Sequence, residues 1–250
     1  MRESISIDRV LDKLDSYLHK NDYAGAERHL LHWLGEAKAA KNHKLALTVQ
    51  NELMGLYRKL GRRKEALACV REAVKSIEAL GIADQVGAAT TLLNAATVYK
   101  AFDMADTALP LFEQARAVYE QELSKNDKRL AGLYNNMALA LVDLSRFCEA
   151  VALYTRAIEI LMEDEGGELE AAISYLNIAS AKERELGLME ADAEIAVYLE
   201  KGRALLEGFE KRDGYYAFVC EKCASVFGYY GHFAYEQELT ERARRIYEGA

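Results

Sequence analysis

Three asparagines recur where a repeating chain would hold something. Asn94, Asn136 and Asn177 stand 42 and 41 residues apart, each two residues before a small residue of a helical apolar pattern. A carboxamide is both donor and acceptor, so a row of them can grip the backbone of an extended peptide without reading its side chains. The same row can instead bond across neighbouring helices and hold a stack together. Peptide gripping is the favoured expectation.

Other chemistry-bearing residues are weaker candidates. Cys220 and Cys223 form a Cys-x-x-Cys, but Cys69 and Cys148 lie far off and His232 alone does not complete a tetrahedral metal site. On one helix the two thiols face the same way, and buried small apolar residues are the better reading. His29 and His32, one turn apart, read as a solvated surface. The acidic stretch MEDEGGELE from Met162 lacks the alternating carboxylates of a calcium loop and reads as a turn. No phosphate-binding glycine loop, nucleophile elbow or His-Glu-x-x-His is found. The expectation is a protein that is not an enzyme, with no cofactor and no metal.

The elements that position these residues follow from a period. Ala26, Ala66, Ala108, Ala150 and Ala191 fall 40, 42, 42 and 41 residues apart, and a degenerate sixth copy centres on Glu236. Each has a partner twelve residues earlier: Leu14, Met54, Ala96, Ala138, Ala179 and Ala224. Apolar residues recur at i, i+3, i+4 and i+7, and the chain has one proline, so the elements are helices. A twelve-residue offset fits a helix, a tight turn and a second helix crossing back, with small side chains where the backbones approach. Asn21, Gly61, Asp103, Ser145 and Gly231 supply the turns. Pro110, inside a second helix, is expected to delay or kink it. A hairpin of this kind cannot bury its apolar face alone and must stack on its neighbours. The predicted fold is all-α, a right-handed α-α superhelix of about six hairpins forming one array over 1–250, with repeats near 7–40, 47–80, 89–124, 131–163, 172–208 and 217–249.

The pattern resembles the tetratricopeptide repeat over roughly residues 7 to 249. Its best unit, LMGLYRKLGRRKEALACVREAV, keeps the family's Leu, Tyr57, Gly61, Ala66 and Ala73, with Met54 where glycine is usual. The longer period and the segments LLNAATVY, YNNMALAL and YLNIASAK are similar to the kinesin-light-chain type. The family's opening tryptophan and closing proline are absent. The resemblance implies that first helices line a concave face and second helices a convex one. Related repeats use asparagines at the place of Asn94, Asn136 and Asn177 to hold peptides. Asn135, Arg58, Lys100, Arg184 and Lys222 join them as candidate groove residues, with Thr97, Ser180 and Lys59. Acidic Asp143, Glu183 and Glu221 share the face. The mixture leans basic, which suits an acidic peptide. The two-lysine, two-asparagine carboxylate clamp of chaperone-binding relatives is not evident.

The last unit is rich in aromatic residues. Tyr229, Tyr230, Phe233 and Tyr235 either cover the terminal hairpin themselves or form a patch for a homodimer. Net charge is −8, which argues against a nucleic-acid partner, and no window resembles a signal peptide or a membrane span. Four scattered cysteines suit a reducing cytoplasm. The expected function is a scaffold binding a peptide or partner protein in the concave groove. The alternative is a peptide-responsive sensor acting on a separate protein. Bacterial receptors of that kind carry an N-terminal output domain, for which a first repeat beginning near Ile7 leaves no room.

Overall fold

The computed structural model describes residues 6–249, and these form twelve α-helices with no strand among the described residues. In chain order they are α1 (Ile7–Leu18), α2 (Tyr23–Ala39), α3 (His43–Lys59), α4 (Arg63–Leu80), α5 (Val86–Ala101), α6 (Ala105–Glu122), α7 (Lys128–Asp143), α8 (Phe147–Leu161), α9 (Glu168–Leu186), α10 (Leu188–Gly208), α11 (Gly214–Tyr229) and α12 (Phe233–Gly249). They fall into two compact units that divide after Val118, inside α6. Among the described residues no helix is long and apolar enough to cross a membrane.

Each hairpin is set by a turn that left-handed backbone makes possible. Asn21, Gly61, Asp103, Ser145 and Gly231 all have positive φ, between 53° and 84°. Around Gly61 the bonding closes the helix end twice: Gly61 N–H donates to the Arg58 carbonyl at 3.1 Å and Arg62 N–H to the Tyr57 carbonyl at 2.9 Å. The same pair of bonds recurs at Asn21, Asp103, Ser145 and Gly231, satisfying carbonyls that the helix end would otherwise leave bare. The α9–α10 turn differs. There Gly187 alone joins the helices at φ 88° and ψ 156°, a conformation open to glycine and hardly to other residues.

The crossing alanines do what their spacing predicts. Ala26, Ala66, Ala108, Ala150 and Ala191 are each 0 % exposed. The N–H of each donates to the carbonyl four residues back, which belongs to the residue just ahead of its helix. Their partners Leu14, Met54, Ala96, Ala138, Ala179 and Ala224 are buried too. In the sixth hairpin the large residue, Glu236, is offset by a glycine: a Cβ built on Gly228 would lie 2.2 Å from Glu236 Oε2. The copy is degenerate in sequence because the bulk has moved from one helix to the other.

The first helices of five hairpins begin at His43, Val86, Lys128, Glu168 and Gly214, three or four residues ahead of the repeat starts read from the period. Periodicity marks buried contacts, whereas a helix begins at its cap. Asn42 accepts from Leu45 N–H at 3.1 Å, Asp127 from Arg129 N–H at 2.9 Å, and Asp213 from Tyr215 and Tyr216 N–H at 3.0 Å. Pro110 does not delay its helix, since α6 already runs from Ala105. Pro110 is exposed, and a helix can pass through proline at the cost of one bond and some ring crowding.

In the N-terminal unit α3 packs against α2, α4 and α5, around fully buried Leu45, Leu53, Met54 and Leu92. In the C-terminal unit α9 packs against α7, α8, α10 and α11. One apolar cluster there joins Leu176, Leu199, Tyr216, Phe227 and Leu239. A close approach of α10 to α9 explains a small residue: a Cβ on Gly202 would sit 3.3 Å from the Ala172 carbonyl oxygen. In each unit the first helices of successive hairpins are neighbours, α3 with α5, and α7 with α9 and α9 with α11. In each unit these first helices therefore lie side by side.

Candidate functional site

In the C-terminal unit, neighbouring helices α7 and α9 carry Asn136 and Asn177 at equivalent places, two residues before Ala138 and Ala179. Both asparagines are half-buried. Asn136 Nδ2 donates to the Gly132 carbonyl of its own helix at 2.8 Å, which anchors the amide and leaves its oxygen side available. No hydrogen bond of Asn177 is found among the described residues. Asn94 of the N-terminal unit, on α5, is also half-buried.

Asn135 is occupied differently. Its Oδ1 accepts from the hydroxyl of Ser174 on α9 at 2.9 Å, and Ser174 is fully buried. The same device appears in the N-terminal unit, where Asn51 Nδ2 on α3 donates to Thr91 Oγ1 on α5 at 3.1 Å. Both asparagines stand three residues before a crossing residue, and both hydroxyl residues stand five before the next one. These bonds tie successive first helices together. The sequence reading did not find them. Aligning the repeats on their crossing residues puts Asn51 level with Asn135 and Thr91 level with Ser174, a recurrence that marks both bonds.

The expected basic lean of this face is reduced by its own acids. Arg184 pairs with Asp143 of the neighbouring α7 at 3.0 Å. Lys222 is exposed, its ammonium 4.9 Å from the centre of the Phe218 ring. Glu183 accepts from the hydroxyls of Tyr229 at 2.5 Å and Tyr230 at 2.7 Å. Burial, and then this bond, push the Tyr230 phenol above its usual range. In the N-terminal unit Arg58 is exposed and Lys100 half-buried. Glu52, at the place the asparagines occupy elsewhere, is held above the usual carboxylate range by burial and then by the charge of Asp15.

The four aromatic residues offered as a terminal patch separate. Tyr235 is 4 % exposed and packs edge-on against Phe227 at 4.8 Å, so it does not belong to a surface. Its hydroxyl donates to Glu207 Oε1 at 2.6 Å. The guanidinium of Arg242 spans both oxygens of that carboxylate at 2.8 and 2.9 Å, a paired geometry that holds direction as well as charge. Arg242, and more weakly Tyr235, keep the Glu207 carboxyl below its usual range. Tyr230 is half-buried, and only Tyr229 and Phe233 of the four are well exposed, at 68 % and 65 %. Tyr235 and Tyr230 pack into the core of their own unit, while Tyr229 and Phe233 remain at its surface.

Two further candidates resolve structurally. Cys220 and Cys223 are buried, and burial pushes the Cys223 thiol up to about 12. Among the described residues no group of three or more His, Cys, Asp and Glu is placed to hold a metal ion. His29 is corrected from a solvated surface position: it is half-buried, and its Nε2 lies 2.9 Å from the Val10 carbonyl oxygen, joining α2 to α1. His32 is exposed.

Comparison with known proteins agrees with this all-helical fold. Residues 45–121 match the family model described as tetratricopeptide repeat. No curated protein matches the chain. The crystal structure of BtubC (BKLC) from P. vanneervenii is similar with a TM-score of 0.69 at 19 % identity, covering 82 % of each chain. A Podosopora anserina putative kinesin light chain with nearly identical TPR-like repeats is similar with a TM-score of 0.59 at 20 % identity, over 80 % of this chain and 94 % of that one. PilW, a type IV pilus biogenesis factor, gives a TM-score of 0.58 at 15 % identity, over 98 % and 94 %. Residues 45–121 therefore match the tetratricopeptide repeat by sequence, and the fold is like that of kinesin-light-chain-type repeat structures.

Proposed function

We propose that the chain is a non-catalytic interaction module that holds an extended peptide or a segment of a partner protein on its first-helix face. The observation that carries this reading is the pair Asn136 and Asn177. Two half-buried amides at equivalent places on neighbouring helices retain hydrogen-bonding capacity that the stack does not use. A row of amides suits a backbone, whose own N–H and C=O groups alternate in the same way. The nearby Asn135 is bonded across to Ser174 of the next first helix and so serves the stack, whereas the one bond of Asn136 stays within its own helix. With Arg184 paired to Asp143, backbone recognition rather than an excess of positive charge is the source of affinity on this unit. Asn94 offers the same chemistry on the N-terminal unit.

The reading is tested with an immobilised peptide array, followed by titration of the best binder. Changing Asn136 and Asn177 to Ala is expected to weaken binding by about tenfold or more, with helicity and unfolding midpoint unchanged. Adding Asn94→Ala deepens the loss if that unit takes part. Unchanged affinity in the double variant refutes the reading, and unfolding of that variant shows that the amides are structural.

A further inference from the structure

The N-terminal unit holds a cavity of about 590 Å³ between the starts of α3 and α5. It exists because α5 opens on small residues. Gly87 and Ala88 face the cavity, and a Cβ on Gly87 would meet nothing within 4 Å. Leu47, Leu80 and Ile82 give it an apolar wall. Its size lies within the common range of small-molecule sites, roughly 300–1,000 Å³.

A polar group in the lining has a fixed orientation and an unused acceptor. Thr91 Oγ1 donates its one proton to the Gly87 carbonyl at 3.1 Å. It must therefore accept from Asn51, whose Nδ2 lies 3.1 Å away. That turns the other end of the Asn51 amide away from Thr91, and this Oδ1 is buried without a partner among the described residues. An adjoining cavity of about 150 Å³ shares His43, Leu47 and Leu80 with the first. It is lined by Gln50, which is 1 % exposed and whose Oε1 also lacks a partner. Buried acceptors of this kind favour an occupant that brings a donor.

The charged side chains that line the two cavities are all lysines. Lys44 and His43 line the larger, and Lys38, Lys41 and His43 the smaller, with no carboxylate lining either. Lys38 is paired with Glu72, whereas no ion pair of Lys41 or Lys44 is found among the described residues. In a chain of net charge −8 such a rim is selective for an anion.

We propose that this cavity binds a small organic carboxylate with an apolar body and one N–H donor, the chemistry of an acyl amino acid. The carboxylate meets Lys44 and His43, the body packs on Leu47, Leu80 and Ile82, and a small turn of the Asn51 side chain brings its buried Oδ1 to the N–H. The site uses none of the residues invoked for peptide binding, so the two readings stand or fall separately.

N-acetyl-leucine is the probe, titrated into isotope-labelled protein and followed by amide resonances. Saturable shifts are expected at Thr48, Gly87 and Ala88. N-acetyl-leucinamide, which lacks the charge, should bind about tenfold more weakly, as should N-acetyl-leucine to the exposed-site variant Lys44→Glu. Gly87→Phe should fill the cavity and abolish binding without lowering the unfolding midpoint. The Asn136→Ala, Asn177→Ala variant should bind the probe as the unchanged protein does. A peptide ending in free leucine carries the same chemistry, and tighter binding of N-acetyl-Gly-Ser-Leu would assign the site to a chain end rather than a free small molecule. Absence of saturable shifts at these amides, or undiminished binding in both Gly87→Phe and Lys44→Glu, overturns the proposal.

Discussion

The bond between Asn135 and Ser174 decides whether a polar residue on this face serves the stack or a ligand, and its removal has a calculable effect. Ser174 is 0 % exposed and its hydroxyl lies 2.9 Å from both Asn135 Oδ1 and the Glu170 carbonyl oxygen. Ser174→Ala removes a donor and leaves the half-buried amide oxygen of Asn135 without one. Such a loss costs about 1–2 kcal/mol when the abandoned group stays dry, and less where water can reach it. Asn135 is half-buried, so about 1 kcal/mol is expected for the single change. Asn135→Leu should cost less, because the single Ser174 proton, shared between two acceptors, then goes wholly to the Glu170 carbonyl. The double variant leaves no orphan and should lie well short of the sum, giving a coupling energy of about 0.5–1 kcal/mol. Urea unfolding followed by far-ultraviolet circular dichroism measures all four proteins. The N-terminal unit supplies a replicate in Asn51 and Thr91, where the same cycle should return coupling of the same sign. Strict additivity in both cycles would show that these bonds do not hold successive first helices together, and the assignment of Asn135 to the stack would fail.

Three other outcomes follow from the structure. Ser145 sits at φ 59° in the α7–α8 turn, so Ser145→Gly should raise stability by about 0.5–1 kcal/mol while Gly61→Ala lowers it by about 1 kcal/mol; a loss on Ser145→Gly in thermal melts contradicts the turn geometry. The Glu207 carboxyl is held below its ordinary value of 4.5 by Arg242. Its contribution to stability is therefore complete above about pH 4.5 and lost as pH falls through the lower folded-state value. Melting between pH 6 and pH 3 should thus show a smaller fall for Arg242→Met than for the unchanged chain, and an equal fall refutes the pairing. Cys148 is exposed and Cys69, Cys220 and Cys223 are buried, so a thiol reagent should modify one cysteine quickly and the rest only on unfolding; fast reaction of more than one in the native protein contradicts their burial.

Much of the fold was legible because its determinants are local and repeated. A crossing alanine advertises itself by spacing, since only a small residue fits where two backbones meet, and all five are fully buried. The turn residues were legible for a similar reason, as Asn, Asp and Gly tolerate the positive φ that all five positions adopt. The first residues of the second helices, Tyr23, Arg63, Ala105, Phe147, Leu188 and Phe233, each stand three before a crossing residue, so the same period also spaces the helix starts. The candidate site was less legible. Whether an asparagine is free or spent depends on a residue about forty positions away, as Ser174 is from Asn135, and no local pattern carries that. Arg184 looked like an available cation until the fold brought Asp143 beside it. His29 looked solvated because its partner is a backbone carbonyl, which has no signature in sequence. Tyr235 and Phe233 are near neighbours in the chain, yet only one is buried, because the helical rotation between them decides which side faces the core.

On the proposed reading Asn136 and Asn177 offer their amides to a ligand, while Asn135 is tied to the neighbouring helix through Ser174. Side-chain amide resonances of the three residues, assigned by substitution and recorded during titration with an array-selected peptide, test it directly. The account predicts that the Asn136 and Asn177 signals move in step with binding and that the Asn135 signal stays in place. Signals of Asn136 and Asn177 that remain fixed while resonances of α8 and α10 shift would place the ligand on the second helices and contradict it.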